Sequence, residues 1–307
     1  MRWQGGRQSQ NVEDRSGQPG GGGLGGLGGG MRRGGGIGIG TLAVAMVVAW
    51  LLGINPLTLL GMLEGGGPVV EQSAPAPDQR VPPSGQQQAP GVQGDTGREF
   101  VSVVLGSTED VWGALFQKSG SRYPAPQLVL FSRSTPTACG QGSAAAGPFY
   151  CPADQKLYID LSFYKTLRDR LGAPGDTAQA YVIAHEVGHH VQNLTGTMRK
   201  MEAARQQASE GQYKELSVRL ELQADCYAGI WAHHSQQGRS WFEQGDVEEA
   251  LNAAAAVGDD NIQRRTQGVV VPEAFTHGSS QQRVRWFKTG MQSGAVEQCD
   301  TFAAKTP

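Results

Sequence analysis

The sequence predicts an α+β fold: a mostly helical domain with a small sheet, behind an N-terminal transmembrane helix. Three observations predict it. Short runs rich in β-branched and aromatic residues, bounded by turn residues, lie between residues 127 and 161. Longer stretches with apolar residues at helical spacing follow them, as far as residue 291. An uncharged apolar stretch, residues 37–54, precedes both. A small sheet followed by many helices is typical of α+β domains.

Residues 1–36 are predicted to form a disordered, glycine-rich tail. The chain contains 45 glycines, and a dense cluster of them lies between Pro19 and Gly40. Such a stretch buries too little apolar surface to offset the entropy lost on ordering. The formal net charge of the whole chain is −2, so charge predicts no nucleic-acid partner.

Residues 37–54 are predicted to cross a membrane once. Eighteen helical residues rise about 27 Å, close to the hydrocarbon thickness of a bilayer, and an extension to Leu63 stays open. The alternative is a buried core helix, but the low-complexity flanks offer nothing to cover it. Arg32 and Arg33 precede the stretch, and the next basic residue is Arg80. The positive-inside rule therefore predicts a cytoplasmic N-terminus, lipid contact through residues 37–54, and a periplasmic or otherwise extracytoplasmic domain at the inner membrane.

Residues 64–97 are rich in Pro, Gly and Gln and are predicted to form a semi-extended linker to a domain over residues 98–307. The first domain helix, over 99–118, has Val111, Trp112, Leu115 and Phe116 as its apolar face. The remaining predicted elements are strands over 127–131, 149–151 and 156–161, and helices over 162–171, 176–194, 212–234, 246–257 and 279–291.

Glycine and proline punctuation sets the bounds of several elements. The turn Pro152-Ala153-Asp154 separates the strands over 149–151 and 156–161. The stretch Gly172-Ala173-Pro174-Gly175 ends the helix over 162–171. Asp176 is the candidate N-cap of the next helix, which ends near Gly196. Strand 156–161 is the candidate edge strand to which an extended peptide would add.

The helix over 176–194 carries the motif His185-Glu186-Val187-Gly188-His189. Histidines four positions apart project from one face of a helix, so His185 and His189 can bind one Zn²⁺. Glu186 is placed to take a proton from a metal-bound water. Glu221, from a second helix, is the candidate third ligand. Asp225, one turn further, is the candidate acceptor of the spare N–H of a ligand histidine. The alternative is an exposed helix with ordinary histidines, which the apolar surroundings of the motif disfavour.

The remaining histidines have different predicted roles. His190 lies about 100° around the helix from its neighbour and is expected near the site or at the surface, without binding the same metal. His233 and His234 are expected at the surface or in the core. His277 opens a turn before a helix and is a candidate for stabilising an oxyanion. The alternative for His277 is an incidental imidazole in a helix-capping turn.

Four cysteines lie beyond the predicted anchor, in the compartment expected to be oxidising. Cys139 and Cys151 bracket a Gly/Ala loop and are predicted to pair. Cys226 and Cys299 would then tie the last segment to the second site helix. The alternative is thiolate zinc ligation, which the absence of C-x-x-C spacing disfavours.

Three long motifs occur in order: H-E-V-G-H-H-V-Q-N-L, R-L-E-L-Q-A-D-C-Y-A-G and T-H-G-S-S-Q-Q-R-V-R-W-F. At these residues the chain resembles the bacterial neutral zinc metallopeptidases, a family of single-pass membrane proteins. The resemblance runs from about Gly97 to Thr301, together with the N-terminal anchor. The extended metzincin pattern is absent, because Gln192 and Thr195 stand where it requires Gly and His.

The resemblance implies a zincin-like domain with one Zn²⁺ per chain and peptide-bond hydrolysis. Carried over, His185, His189 and Glu221 are the ligands and Glu186 is the catalytic base. The expected partner of the protein is a peptide or protein substrate in the cell envelope. Two other functions stay open: a non-catalytic zinc-bearing envelope protein that binds or anchors partners, and an amidase acting on cell-wall peptides. A purely structural zinc site has no need of Glu186, which separates the first of these from the enzyme.

Overall fold

The structure, a computed structural model, describes residues 1–17 and 91–307, with side chains described for 1–17 and 96–307. The predicted transmembrane segment 37–54, its extension to residue 63 and most of the linker 64–97 lie outside these ranges. Within them, no helix is long and apolar enough to cross a membrane.

The described residues form a mixed α+β domain, mostly helical with a small sheet, as the sequence predicts. The strands are β1 (Val12–Asp14), β2 (Gln127–Phe131), β3 (Ser134–Thr137), β4 (Gly140–Ser143), β5 (Phe149–Cys151) and β6 (Lys156–Asp160). The helices are α1 (Gly91–Lys118), α2 (Ser162–Asp169), α3 (Asp176–Leu194), α4 (Thr197–Arg205), α5 (Glu210–Arg239), α6 (Asp246–Ala256), α7 (Asp259–Gln267) and α8 (Ser280–Ser293).

The main sheet has the strand order β1-β2-β6-β5. The pairs β1–β2 and β2–β6 are parallel, whereas β5 and β6 form an antiparallel pair. Strands β3 and β4 form a separate hairpin, whose turn the Cys139–Cys151 disulfide ties to β5. Strand β6 is therefore central, and the prediction that it is an edge strand is wrong. Because β5 follows β6 in the sheet order, β5 takes the edge.

Helix α3 lies at the centre of the domain, and most of its residues from 177 to 192 are buried. It packs against α5 and α6, and α5 packs closely along α8. Glycines allow that last approach: a Cβ at Gly290 would lie 1.9 Å from Cys226 O, and one at Gly229 would lie 2.1 Å from Phe287 O. The backbones of α5 and α8 are thus in direct contact.

Residues 1–17, hereafter the N-terminal arm, are folded against the domain. The arm supplies β1 to the sheet and buries Trp3 in the main core. The prediction of a disordered tail over residues 1–36 is therefore wrong for residues 1–17. A three-residue strand has too little periodicity to be seen in the sequence. Likewise, residues 91–97 of the predicted linker are the first turns of α1.

Most predicted element bounds agree with the structure, and α3 spans the predicted 176–194. Its N-cap, however, is Gly175 rather than Asp176. The carboxylate of Asp176 instead accepts a hydrogen bond from the Met1 amino group at 3.1 Å. Helices α4 and α7 and the β3–β4 hairpin were not predicted, because they are short and polar. Both predicted disulfides, Cys139–Cys151 and Cys226–Cys299, are confirmed.

Candidate metal centre

Helix α3 presents His185 and His189 on one buried face, where the two residues are 7% and 8% exposed. Helix α5 crosses this face and brings Glu221 to the same point. The crossing depends on Gly188, since a Cβ there would lie 2.9 Å from Ala224 O and 3.1 Å from Ala224 Cα. Gly188 is the fourth residue of the motif, so the motif itself includes the glycine that lets α5 approach α3.

The three side chains converge through atoms suited to zinc. His185 Nε2 lies 3.1 Å from Glu221 Oε2, and His189 Nε2 lies 3.4 Å from Glu221 Oε1. Within the described part of the chain, this trio forms one of two groups whose potential ligand atoms lie within 4.8 Å of one another. Ligands about 2.1 Å from a tetrahedral Zn²⁺ stand about 3.4 Å apart, and two imidazoles with one carboxylate are a common catalytic donor set. The residues therefore fit a zinc ion.

The other nitrogen of each histidine is held by a side-chain oxygen. His185 Nδ1 donates to Asp225 Oδ1 at 2.9 Å, as predicted, and His189 Nδ1 donates to Gln192 Oε1 at 2.8 Å. The Gln192 amide is fixed in turn by donating to Leu220 O at 2.7 Å. These bonds hold a proton on each Nδ1, so that Nε2 is the nitrogen of each ring that a metal would bind.

Asp225 is the centre of a fully buried polar network. It accepts two hydrogen bonds from Arg283, Nε to Oδ2 at 2.8 Å and Nη2 to Oδ1 at 2.9 Å. The Tyr181 hydroxyl also donates to Asp225 Oδ1. Four donated hydrogen bonds, counting that from His185, thus satisfy a carboxylate that is 0% exposed. Burial opposes its ionisation, but Arg283 and His185 outweigh that effect and lower the pKa of Asp225.

Arg283 is not among the residues predicted for the site, although its position in the sequence carries a signal. Arg283 precedes Trp286 and Phe287 by three and four positions, which puts it on the buried face of an amphipathic helix. A guanidinium on such a face requires a buried carboxylate partner. Nothing in the sequence shows that this partner is Asp225, because 58 residues separate the two.

The site carries strongly perturbed carboxyl and imidazole groups. Burial raises the pKa of Glu186, although the neighbouring imidazoles of His189 and His185 oppose the rise. Burial would lower the pKa of His185, but Asp225 and Glu221 raise it to about 9. Glu221 is also buried, yet the two histidines hold its pKa well below the usual range. Glu186 is therefore the carboxylate of the site that is closest to a neutral-pH base.

His277 lines the same cavity as the three potential ligands. Its Nδ1 lies 3.1 Å from Asp259 Oδ1, and its imidazole is 51% exposed. Asp259 also accepts hydrogen bonds from the backbone amides of Thr276, His277 and Gly278 through Oδ2. These bonds fix the turn that carries His277 at the cavity. Sequence reasoning did not identify Asp259.

The cavity over these residues has a volume of about 490 Å³. Strand β5 and the segment before it form one wall. The apolar side chains that line the cavity include Phe149, Phe163, Leu171, Val182, Met198, Leu220, Val257 and Ile262. The described cationic residues of the lining are Arg283, which is paired with Asp225, and the histidines of the site.

His190 connects α3 to this wall without entering the metal centre. Its Nε2 donates to Pro124 O at 2.7 Å, so its Nδ1 accepts from the Tyr150 hydroxyl at 3.0 Å. Asn193 Nδ2 donates to the same hydroxyl at 2.9 Å. His190 is 0% exposed, and burial lowers its pKa. It therefore stays neutral and fixes β5 beside the potential ligands.

The last two histidines lie away from the site. His233 Nδ1 donates to Met291 O at 2.7 Å, and His234 Nε2 donates to Gly294 O at 2.9 Å. Both bonds join the C-terminal part of α5 to the end of α8. Their roles are structural, in agreement with the expectation from sequence.

A mixed α+β domain with this buried donor set is suited to hold a metal ion, as a zinc peptidase does. The chain belongs to the family described as putative neutral zinc metallopeptidase, whose profile matches residues 1–302. It is 49% identical over 302 residues to a protein of Escherichia coli strain K12 named Uncharacterized protein YpfJ, covering 98% of this chain and 99% of that one.

A second relative comes from Mycobacterium tuberculosis strain H37Rv and is named Uncharacterized protein Rv2575. It is 40% identical over 267 residues, which covers 83% of this chain and 85% of the relative. No solved structure matches the chain. The family model begins at residue 1, and so covers the N-terminal arm as well as the site.

Proposed function

We propose that this protein is a zinc-dependent metallopeptidase that hydrolyses peptide bonds, with His185, His189 and Glu221 as metal ligands and Glu186 as general base. The observation that carries the proposal is the convergence of two Nε2 atoms and a carboxylate within 4.8 Å, beside the carboxyl group of Glu186, which is not part of the donor set. A site that only holds a structural metal has no use for a buried carboxyl with a raised pKa.

A zinc ion bound by these residues would supply Lewis acidity, which polarises the scissile carbonyl and acidifies water. Glu186 takes the proton from the attacking water and passes it to the leaving amine. Its buried position supports this role, because desolvation raises its pKa toward neutrality. Asp225 and Gln192 keep the two ligand imidazoles in the tautomer that binds metal.

His277 is proposed to donate a hydrogen bond from Nε2 to the oxygen that gains negative charge as the carbonyl is attacked. Asp259 orients the ring by accepting from Nδ1 at 3.1 Å. The same carboxylate raises the pKa of His277, although burial acts in the opposite direction. A raised pKa favours the protonated imidazole, which is the stronger donor to an oxyanion.

The substrate is proposed to be a peptide in extended conformation that adds to β5. This strand has β6 on one side and the cavity on the other, so it can accept another strand. Tyr150 is anchored to α3 through His190, which holds the edge rigid. The apolar lining of the cavity supports a preference for a large apolar side chain beside the scissile bond.

The domain is proposed to act outside the cytoplasm, at the inner membrane. Its two disulfides support this location, because such bonds persist in oxidising compartments. The apolar stretch 37–54 remains the predicted membrane contact. Proteins of the cell envelope are then the pool from which its peptide substrates come.

The decisive experiment compares Glu186→Gln with a matched control, Glu215→Gln, in the purified full-length chain. Glu215 is exposed and lies on α5, the helix that also carries Glu221. We expect both variants to retain one zinc per chain by elemental analysis. Cleavage of a mixed peptide library should fall by about 10²–10⁴-fold in Glu186→Gln alone. Unchanged cleavage by Glu186→Gln would exclude the proposed general base, and full zinc retention by His189→Ala would exclude the ligand set.

A further inference from the structure

The N-terminal arm contacts the domain from Met1 to Arg15. Trp3 is 9% exposed, and its ring meets Phe100 edge to face with centroids 5.3 Å apart. The arm then runs so close to α1 that a Cβ at Gly6 would lie 2.6 Å from Val103 Cγ1. A Cβ at Gly106 would lie 2.5 Å from the carbonyl oxygen of Arg7. This contact therefore requires glycine on both the arm and the helix.

Beyond these glycines, polar contacts join the arm to α1. Glu109 of α1 accepts hydrogen bonds from Arg7 Nη2 at 3.0 Å, Ser9 Oγ at 2.5 Å and Asn11 Nδ2 at 2.8 Å. Ser9 N donates to Ser102 O at 3.0 Å, and Ser102 Oγ donates back to Ser9 O at 3.0 Å. The arm thus supplies hydrogen-bond partners to Glu109 and Ser102 of α1, which would lose these partners if the arm were removed.

The arm ends as an integral strand of the sheet. Strand β1 pairs with β2 in parallel, with Val12 opposite Leu128 and Asp14 opposite Leu130. Hydrogen bonds flank the pair, from Leu128 N to Asn11 O at 2.8 Å and from Arg15 N to Leu130 O at 2.8 Å. Without β1, the backbone groups on that side of β2 would form an open sheet edge.

These contacts determine how the folded parts lie relative to a membrane. A bilayer has a hydrocarbon core about 30 Å thick, and it cannot separate two segments joined by hydrogen bonds of 2.8–3.0 Å. We infer that the N-terminal arm and the domain lie on the same side of the membrane. The predicted single crossing, with a cytoplasmic N-terminus and an extracytoplasmic domain, is incompatible with this packing.

Thiol labelling in living cells tests the inference directly. The chain has four cysteines, all of them in the two disulfides, so an engineered cysteine supplies the free thiol. Gln10→Cys marks the arm and Lys288→Cys marks the domain, since both side chains are exposed. Each variant of the full chain is treated with a membrane-impermeant maleimide before and after lysis, with the outer membrane permeabilised.

We expect the two positions to label alike. Labelling of both in intact cells supports the inference, and so does protection of both until lysis. Protection of both would count against the extracytoplasmic location proposed above while leaving the same-side inference intact. Labelling of one position with protection of the other would overturn the inference.

A stability measurement tests whether the arm is docked in the protein as made. Trp3→Ala is compared with Gln4→Ala, whose side chain is exposed. Loss of a buried tryptophan should lower the thermal midpoint of the purified full-length chain by roughly 6–12 °C. Gln4→Ala should leave it unchanged. Equal midpoints for the two variants would mean that the arm is not part of the folded domain.

Discussion

Replacing Gly188 by alanine tests whether the motif glycine sets the distance between the metal helices. The new Cβ would stand 2.9 Å from Ala224 O and 3.1 Å from Ala224 Cα. Ordinary contacts between such atoms are about 3.4 Å or more, so α3 and α5 must separate by roughly half an ångström. Glu221 lies on α5 less than one turn from this contact, so its carboxylate would move away from His185 and His189.

The energetic cost has two parts of opposite sign. Overpacking a well-packed contact costs about 1–3 kcal/mol. Alanine in a helix interior gains about 1 kcal/mol over glycine. Gly113→Ala in α1 is the matched control, because its Cβ would meet no atom within 4 Å. The free energy of unfolding of Gly188→Ala should therefore be about 1–3 kcal/mol lower than that of Gly113→Ala.

Zinc affinity gives the more specific readout. Chelator competition on the purified full-length variants should show an affinity loss of about 10-fold or more for Gly188→Ala, because misplaced outer contacts alone have effects of this size. Gly113→Ala should bind zinc as the parent does. Parental affinity and control-like stability in Gly188→Ala would refute the reasoning that this glycine determines the approach of α5.

Three further predictions concern groups around the centre. Asp225→Asn should lower zinc affinity by roughly 10–100-fold in chelator competition, since it removes the charge that supports His185. In metal-free protein, the pKa of His185 is about 9 in the folded state and 6.5 in the unfolded state. The contribution of His185 to the free energy of unfolding is therefore complete below pH 6.5 and is lost as the pH rises through 9. Urea unfolding across that pH range would measure it. Replacing Cys226 and Cys299 together by alanine should cost about 4 kcal/mol of unfolding free energy, since the bond closes a 73-residue loop.

The local part of the metal centre could be predicted from the sequence. Histidines four apart on one helix must share a face, so the relation of His185 to His189 needs no tertiary information. The bounds of α3 followed from a Gly/Pro stretch before it and Gly196 after it. Glu221 and Asp225 could be proposed because they repeat the same four-residue spacing on a second helix.

The rest depends on contacts between distant residues. Arg283 and Asp259 acquire their roles only when α8 and the turn before it pack against α5 and α7. Strand β1 has three residues and is specified by the open edge of β2 rather than by its own pattern. Helix α7 has a strongly polar composition, and its N-terminal Asp259 is held by the turn that contains His277. Local propensity and periodicity carry no record of such pairings.

The network around Asp225 also determines when the candidate metal centre can be completed during synthesis. The network includes Arg283, and the disulfide next to Asp225 includes Cys299. A nascent chain that has not yet been synthesised as far as these residues therefore cannot complete the network. Contacts between residues so far apart in the sequence form late, because the chain must first lose the entropy of closing a long loop. The proposed peptide-cleaving activity would then be acquired only after the chain has been synthesised as far as Cys299, and a shorter copy would not cleave the proteins around it.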